Sequence, residues 1–132
     1  MMRVFLDANV LFSGSNSGSA MESLVALILS KATAVTSDFA LEEARRNIQI
    51  KRPQWVDRFE AICQSTDFVP SASFPLSVLL APKDLPILCV AIKSSCKFLV
   101  TGDRRNFGHL FGQTIRGVTI LNPDAMADKL IP

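Results

Sequence analysis

The chain has 132 residues, 48% of them hydrophobic, and a formal net charge of only +2 at pH 7. This length predicts a single domain, residues 1–132, and the apolar fraction is enough for a real core, which excludes a disordered chain. A net charge so close to zero gives little support by itself for a nucleic-acid partner.

The three cysteines, Cys63, Cys89 and Cys96, have none of the spacings that bind structural zinc. Their apolar surroundings predict buried free thiols, which suits a protein of the reducing cytoplasm. Asp7 interrupts the first apolar run, so we expect no signal peptide, and the apolar run 24–29 is too short to cross a membrane. The sequence therefore predicts a cytoplasmic protein with no membrane partner.

The first predicted element is a strand over Val4–Leu6, because a continuous apolar run is typical of a strand buried on both faces of a parallel sheet. A loop of small residues is expected over 12–18. A helix over about 20–31 follows, opened by a capping-box sequence, and 32–36 is expected to form the second strand.

The second predicted helix spans about 37–50 and carries two adjacent glutamates. Helical geometry places Glu42 on the polar face beside Arg46, and Glu43 on the small, less polar face beside Ala44. We therefore expect Glu42 to pair with Arg46 at the surface and Glu43 to point toward the edge of the sheet.

The rest of the chain continues the alternation of strands and helices. The further predicted elements are a helix from Pro53, a short strand over 67–69, a helix from Lys83, a strand over 97–101, a strand over 118–121 and a final helix over 124–131. No regular element is expected over 70–82, which is rich in Pro and Ser, or over the glycine-punctuated segment 102–108. This pattern predicts an α/β fold, a three-layer Rossmann-like sandwich whose central parallel sheet is flanked by helices.

Carboxylates follow two of the predicted central strands directly, Asp7 after the first and Asp103 after 97–101. The carboxyl ends of parallel strands meet at one edge of a sheet, where sites in open α/β folds gather. Glu43 and Asp84 are two further candidates. Mg²⁺ and Mn²⁺ prefer carboxylate and water oxygens, and such ions can activate water and stabilise charge on a phosphoryl group. The acids therefore predict metal-dependent phosphodiester hydrolysis.

Each acid has a purely structural alternative. Asp7 and Asp103 can cap turns, Glu43 can be a solvated helix residue, and Asp84 stands where the N-cap of the following helix belongs. The small polar residues beside Asp7 and Asp103 also have two interpretations. They either orient a carboxylate or a metal-bound water, or they form ordinary hydrogen bonds in loops. These small polar residues are Asn9, Ser13 and Thr101.

Four motifs in order resemble a PIN domain: Val4-Phe5-Leu6-Asp7-Ala8-Asn9-Val10-Leu11, Leu41-Glu42-Glu43-Ala44, Lys83-Asp84-Leu85-Pro86-Ile87-Leu88 and Leu99-Val100-Thr101-Gly102-Asp103. The order and spacing fit nearly the whole chain. The chain resembles in particular the small bacterial PIN proteins that are described as toxin components of toxin–antitoxin pairs. The segment 70–82 has no clear family role.

The resemblance implies a Mg²⁺- or Mn²⁺-dependent endoribonuclease. Its four catalytic and metal-binding acids fall on Asp7, Glu43, Asp84 and Asp103, and the hydroxyl that the family often places near the last acid falls on Thr101. The resemblance also implies an RNA substrate, a cognate antitoxin that covers the active groove, and a homodimer.

Several basic residues are candidates for contacts with the RNA phosphates, with a solvated charged face as the alternative. The candidates are Arg104 and Arg105, which follow Asp103 directly, and Arg45 and Arg46.

Two rival functions follow from the same residues. A phosphatase with an aspartate nucleophile would have a second aspartate two positions after Asp7, where this chain has Asn9. The other rival is a non-catalytic PIN-like module that binds RNA or a protein. The four acids argue against it, because a module without a metal has no reason to keep them together.

Overall fold

The computed structural model describes residues 1–131. The strands, in chain order, are β1 (Arg3–Leu6), β2 (Thr33–Ser37), β3 (Asp67–Val69), β4 (Phe98–Val100), β5 (Thr114–Ile115) and β6 (Val118–Leu121). They form one sheet in the order β3-β2-β1-β4-β6-β5, in which every neighbouring pair is parallel except β5 and β6. The predicted α/β fold with a central parallel sheet is confirmed.

Helices flank this sheet. They are α1 (Ala8–Gly14), α2 (Ala20–Lys31), α3 (Asp38–Lys51), α4 (Val56–Gln64), α5 (Leu85–Lys93), α6 (Arg104–Phe107) and α7 (Pro123–Leu130), with 3₁₀ turns at Pro53–Trp55 and Gly108–Leu110. The predicted helices are all present. Five of them begin at a residue whose side chain accepts a capping hydrogen bond, namely Asp7, Ser19, Ser37, Asp103 and Asn122.

The loop expected over 12–18 is partly wrong, because α1 continues to Gly14. Ser and Gly favour loops on average, but here Ser15 donates its hydroxyl to the carbonyl of Leu11 at 2.7 Å and extends the helical end. Gly14 is buried, and a Cβ there would lie 2.6 Å from Cγ2 of Val25 in α2. The glycine therefore allows α1 and α2 to approach closely.

Two further short elements were not expected. Residues predicted as loop over 102–108 contain α6, whose first turn is capped by the Asp103 carboxylate accepting from the amide of Asn106 at 3.1 Å. The strand β5 closes a tight turn onto β6 through Arg116 and Gly117, both at positive φ. Elements of two to four residues have too little periodicity to be read from sequence.

The core lies between the sheet and its helices. All three apolar residues of the first strand, Val4, Phe5 and Leu6, are fully buried, as expected for a central parallel strand. The three cysteines are buried and free, which confirms the prediction for their side chains. No helix within residues 1–131 has the length and apolar content needed to cross a membrane.

The segment 70–82, here called the connecting segment, has no helix or strand, as predicted, and it is fastened at several points. Ser71 donates to the carboxylate of Asp38, and the amide of Phe74 donates to Sγ of Cys89 at 3.4 Å. Near its end, the ring N–H of His109 donates to the carbonyl of Leu79 at 2.6 Å. These contacts fix the path by which the chain delivers Asp84 to the edge of the sheet.

Candidate active site

The carboxyl ends of β1 and β4 bring together two stretches from opposite ends of the chain. The parallel register pairs Leu6 with Val100, and the amide of Asp7 donates to the carbonyl of Val100 at 3.1 Å. The residues that follow the two strands, Asp7 and Thr101, therefore lie side by side. Both are buried, Asp7 at 7% exposure.

Both carboxylate oxygens of Asp7 accept hydrogen bonds. Oδ1 accepts from the amide of Ala8 at 2.8 Å, which caps α1. Oδ2 accepts from the hydroxyl of Thr101 at 2.8 Å and from the side-chain amide of Asn9 at 3.2 Å. The capping role that we set against function for Asp7 is real, and it leaves the carboxylate in a fixed orientation.

Asn9 and Thr101 link this carboxylate to the next loop. The Oδ1 of Asn9 accepts from the amide of Gly102 at 2.7 Å, and the hydroxyl of Thr101 accepts from the amide of Asp103 at 3.1 Å. A Cβ on Gly102 would lie only 3.2 Å from Oδ1 of Asn9, so the close approach suits a glycine. Small polar side chains thus hold the loop that carries Asp103 against the end of β1.

Burial raises the pKa of Asp7 from 3.8 to about 6. The hydrogen bonds from Thr101 and Ala8 act in the opposite direction, because they stabilise the charged form. The negative charges of Glu43 and Asp84 raise the pKa of Asp7 further. The site therefore holds a carboxylate whose ionisation the protein disfavours, as is common where a carboxylate serves a function.

Asp84 stands at the N-cap position of α5, but its side chain accepts no capping hydrogen bond within the described residues 1–131. Its Oδ2 is buried and has no hydrogen-bond donor in the same part of the chain. Burial raises the pKa of Asp84, and the charge of Asp103 adds to this effect while Lys83 opposes it. The N-cap explanation for Asp84 is therefore wrong.

Asp103 has a clear structural role. One carboxylate oxygen accepts from the backbone amide of Asn106 at 3.1 Å and the other from its side-chain amide at 2.8 Å. Asn106 was not identified from the sequence. The signal was present, because Asp-x-x-Asn is a capping arrangement that also orients the carboxylate.

One cavity of about 210 Å³ collects the four acids predicted from the sequence. It is lined by Asp7, Asn9, Phe39, Ala40, Glu43, Lys83, Asp84, Ile87 and Asp103. A second, more open cavity of about 430 Å³ shares Asn9, Glu43 and Asp103, and Ser13 lies in its wall. Asp7 follows β1, Glu43 lies in α3, Asp84 precedes α5 and Asp103 lies between β4 and α6, so four separate parts of the chain converge here.

The donors of the cavity suit a hard divalent cation, because they are carboxylate oxygens and one amide oxygen with no sulfur or imidazole. Among the described residues nothing donates to Oδ2 of Asp84, and Glu43 is exposed, so oxygens of both side chains can bind such an ion. As their side chains stand, no three acidic, histidine or cysteine residues among those described form a ready-made metal-binding group.

The four predicted phosphate-binding arginines have different surroundings. Arg104 and Arg105 are exposed on α6, and Arg104 lines a shallow depression of about 280 Å³ next to Gly102. Arg46 is exposed on α3 and does not pair with Glu42, contrary to expectation, within the part of the chain described. Arg45 is engaged with Glu60 of α4 and lies over the ring of Phe59.

Two residues of the cavity were not predicted from the sequence. Phe39 lies one helical turn before Glu43 and shares its face, and Lys83 directly precedes Asp84. Their spacing from the two acids is the signal that would have indicated them.

No protein-family model and no curated protein sequence matches this chain. Solved structures do resemble it. VapBC2 from Rickettsia felis bound to a DNA fragment from its promoter has a TM-score of 0.64 at 16% identity, covering 92% of this chain and 98% of that chain. PAE2754 from Pyrobaculum aerophilum has a TM-score of 0.63 at 16% identity, covering 98% and 89%. DNA-bound VapBC from Salmonella typhimurium has a TM-score of 0.62 at 17% identity, covering 93% and 99%.

At such low identity the similarity concerns the fold. It extends over nearly the full length of each chain, and it agrees with the order of strands and helices around the central sheet. The chain therefore has a PIN-like fold.

Proposed function

We propose that this chain is a ribonuclease that depends on Mg²⁺ or Mn²⁺ and hydrolyses phosphodiester bonds within RNA. The observation that carries the proposal is the convergence of Asp7, Glu43, Asp84 and Asp103 on one cavity from four separate elements. Like charges brought together in this way are unfavourable unless a cation or a catalytic task offsets the repulsion. The PIN-like fold supports the same proposal.

The four acids would hold the ion. When bound, Mg²⁺ or Mn²⁺ supplies a positive charge that lowers the pKa of water and offsets charge on a phosphate. Asp7 has the most constrained position, because Thr101, Asn9 and Ala8 fix both of its oxygens. Asp103 is oriented by Asn106, whereas the exposed Glu43 is free to adjust.

The proposed partners follow from the shared fold. Two of the similar structures are VapBC complexes on DNA, so we propose that this chain is the toxin of a toxin–antitoxin pair and binds a cognate antitoxin. A homodimer and a cytoplasmic location belong to the same proposal. Arg104, Arg105 and Arg46 are exposed and are the proposed contacts to RNA phosphates, whereas Arg45 is occupied by Glu60.

The decisive experiment is cleavage of a single-stranded and a structured RNA by purified protein, in Mn²⁺ or in EDTA, with Asp7→Asn in parallel. We expect cleavage that requires the metal and falls by at least about a hundredfold in Asp7→Asn. Cleavage that survives in Asp7→Asn would contradict the proposed site.

The alternative is a non-catalytic module that binds RNA or a protein. It would show binding without cleavage in any of these conditions, and the binding would not change in Asp7→Asn.

A further inference from the structure

The side chain of Phe39 is 51% exposed, although it lies at the edge of the cavity that collects the acids. Phe39 is in the first turn of α3, and the buried faces of that helix are formed by Ala40, Ala44 and Ile48. Half of a large apolar ring therefore remains in water beside the proposed site. Burial in the core does not account for a phenylalanine at this position.

The wall of the same cavity also contains one cationic side chain, Lys83, which is exposed. The start of α3 offers no competing site for a phosphate. Ser37 accepts from the amide of Ala40 at 3.0 Å, and Asp38 accepts from the amide of Phe39 at 2.8 Å and adds a negative charge. A phosphate near Phe39 would therefore be attracted by Lys83.

The lining of the cavity indicates what each part of it can contact. The four acids suit a divalent ion and the phosphate that the ion binds, and Phe39 is the aromatic side chain in the same wall. An exposed aromatic ring at the mouth is the surface on which an unstacked base binds best, because every base has a π-face.

We propose that Phe39 is a substrate-positioning residue, whose ring stacks on an unpaired base next to the phosphate held in the cavity, while Lys83 binds a neighbouring phosphate. In a duplex the bases are already stacked on one another and are not available to Phe39, so a duplex serves as the comparison. This inference rests on the proposed function, since it assigns two substrate contacts at the same site.

The test measures binding in the Asp7→Asn protein with Mg²⁺, so that the RNA stays intact. The probe is a fluorescein-labelled ten-nucleotide single-stranded RNA, followed by anisotropy, with a duplex of the same sequence for comparison. We expect Phe39→Ala to weaken binding of the single strand about tenfold and binding of the duplex by less than twofold. Phe39→Trp should restore tight binding, because indole also stacks.

Phe68 provides the matched control. It is the same residue type with nearly equal exposure, 48%, but it lies on the edge strand β3 and not in the cavity wall. Phe68→Ala should leave binding unchanged. For the cation, Lys83→Ala should reduce the salt dependence of binding, and Lys93→Ala, an exposed lysine at the opposite end of α5, should not.

Equal binding by Phe39→Ala and Phe68→Ala would overturn the inference, and so would equal losses for single strand and duplex. If the parent chain cleaves RNA while Phe39→Ala binds normally, only the inference fails. If the parent chain binds no single-stranded RNA, both the inference and the proposed function fail. If binding depends on Phe39 but no condition gives cleavage, the inference stands and the proposed reaction fails.

Discussion

At the scale of single residues, the main feature is a carboxylate kept where its charge is disfavoured. Burial raises the pKa of Asp7 to about 6. One pKa unit corresponds to about 1.4 kcal/mol, so ionised Asp7 lowers the free energy of unfolding by about 3 kcal/mol at neutral pH. Between pH 3.8 and about 6 the folded chain keeps a proton on Asp7 that the unfolded chain releases. The free energy of unfolding therefore falls by about 3 kcal/mol as the pH rises through this range.

We expect Asp7→Asn to raise the melting temperature in EDTA at pH 7.5 by about 5 °C. The variant loses the cost of the charge but also one hydrogen bond, which leaves a net gain of about 1–2 kcal/mol. At pH 4 the gain should disappear, because folded Asp7 is then protonated. Thermal unfolding followed by circular dichroism at the two pH values measures both effects. A gain that is equal at pH 4 and pH 7.5 would contradict the assignment of the pKa to Asp7.

Two roles were considered for Asp84, a helix cap and a metal ligand, and they predict different effects of mutation on stability. The Asp84 side chain caps nothing in α5 within residues 1–131, whereas Asn122 caps α7 by accepting from the amide of Ala125 at 2.8 Å. In EDTA, Asn122→Ala should therefore cost about 1 kcal/mol and Asp84→Asn should cost nothing. In saturating Mn²⁺ the parent chain should melt at a higher temperature, and Asp84→Asn should lose most of that increase. An unchanged melting temperature of the parent chain in saturating Mn²⁺ would contradict the proposed metal site.

At the scale of elements, length decided what the sequence could predict. The long helices and the buried strands have clear apolar periodicity and were predicted to within a few residues. The last three residues of α1, 12–14, were predicted as loop because they include Ser and Gly. The hydrogen bond from Ser15 to Leu11 and the close packing of Gly14 on Val25 account for the helix there, and neither is visible in the local sequence. The four residues of α6 depend on the pairing of Asp103 with Asn106.

The close packing of α1 on α2 predicts that a larger residue at position 14 lowers the stability of the fold. Gly14→Ala adds a Cβ that would lie 2.6 Å from Cγ2 of Val25, so we expect a loss of about 1–2 kcal/mol despite the better helix propensity of alanine. In a double-mutant cycle by urea unfolding, Val25→Ala should remove about 1 kcal/mol of that loss. Gly108→Ala is the control, because a Cβ there meets only the flexible side chain of Arg104 at 3.4 Å. Additive losses at positions 14 and 25 would show that the helices adjust without strain.

At the scale of the whole molecule, the convergence of the acids follows from topology. Asp7 and Asp103 were predicted to meet because parallel strands end at one edge, and helical spacing placed Glu43 near them. The position of Asp84 was supported by the resemblance to PIN domains more than by its local sequence. Within the described residues 1–131 its Oδ2 has no hydrogen-bond donor, and the spacing of residues along the chain could not predict this.

The distribution of charge gives the last prediction. The net charge is only +2, so a few local cations must dominate the attraction of RNA phosphates. Each phosphate contact contributes about 0.7 to the slope of log K against log salt for single strands, so Arg104→Ala with Arg105→Ala should reduce the slope by about 1.4. Binding titrations between low and moderate salt measure this slope. Lys129→Ala, an exposed cation on α7, should leave it unchanged.

The hydrogen bond between Asp7 and Thr101 joins residues 94 positions apart, and β1 lies between β2 and β4. During synthesis on the ribosome, the edge of β1 that pairs with β4 remains unpaired until β4 has been synthesised. A fragment that ends before β4 lacks Asp103 and cannot assemble the constellation of acids. Under the proposed function, the nascent polypeptide therefore has no ribonuclease activity until Asp103 has been synthesised.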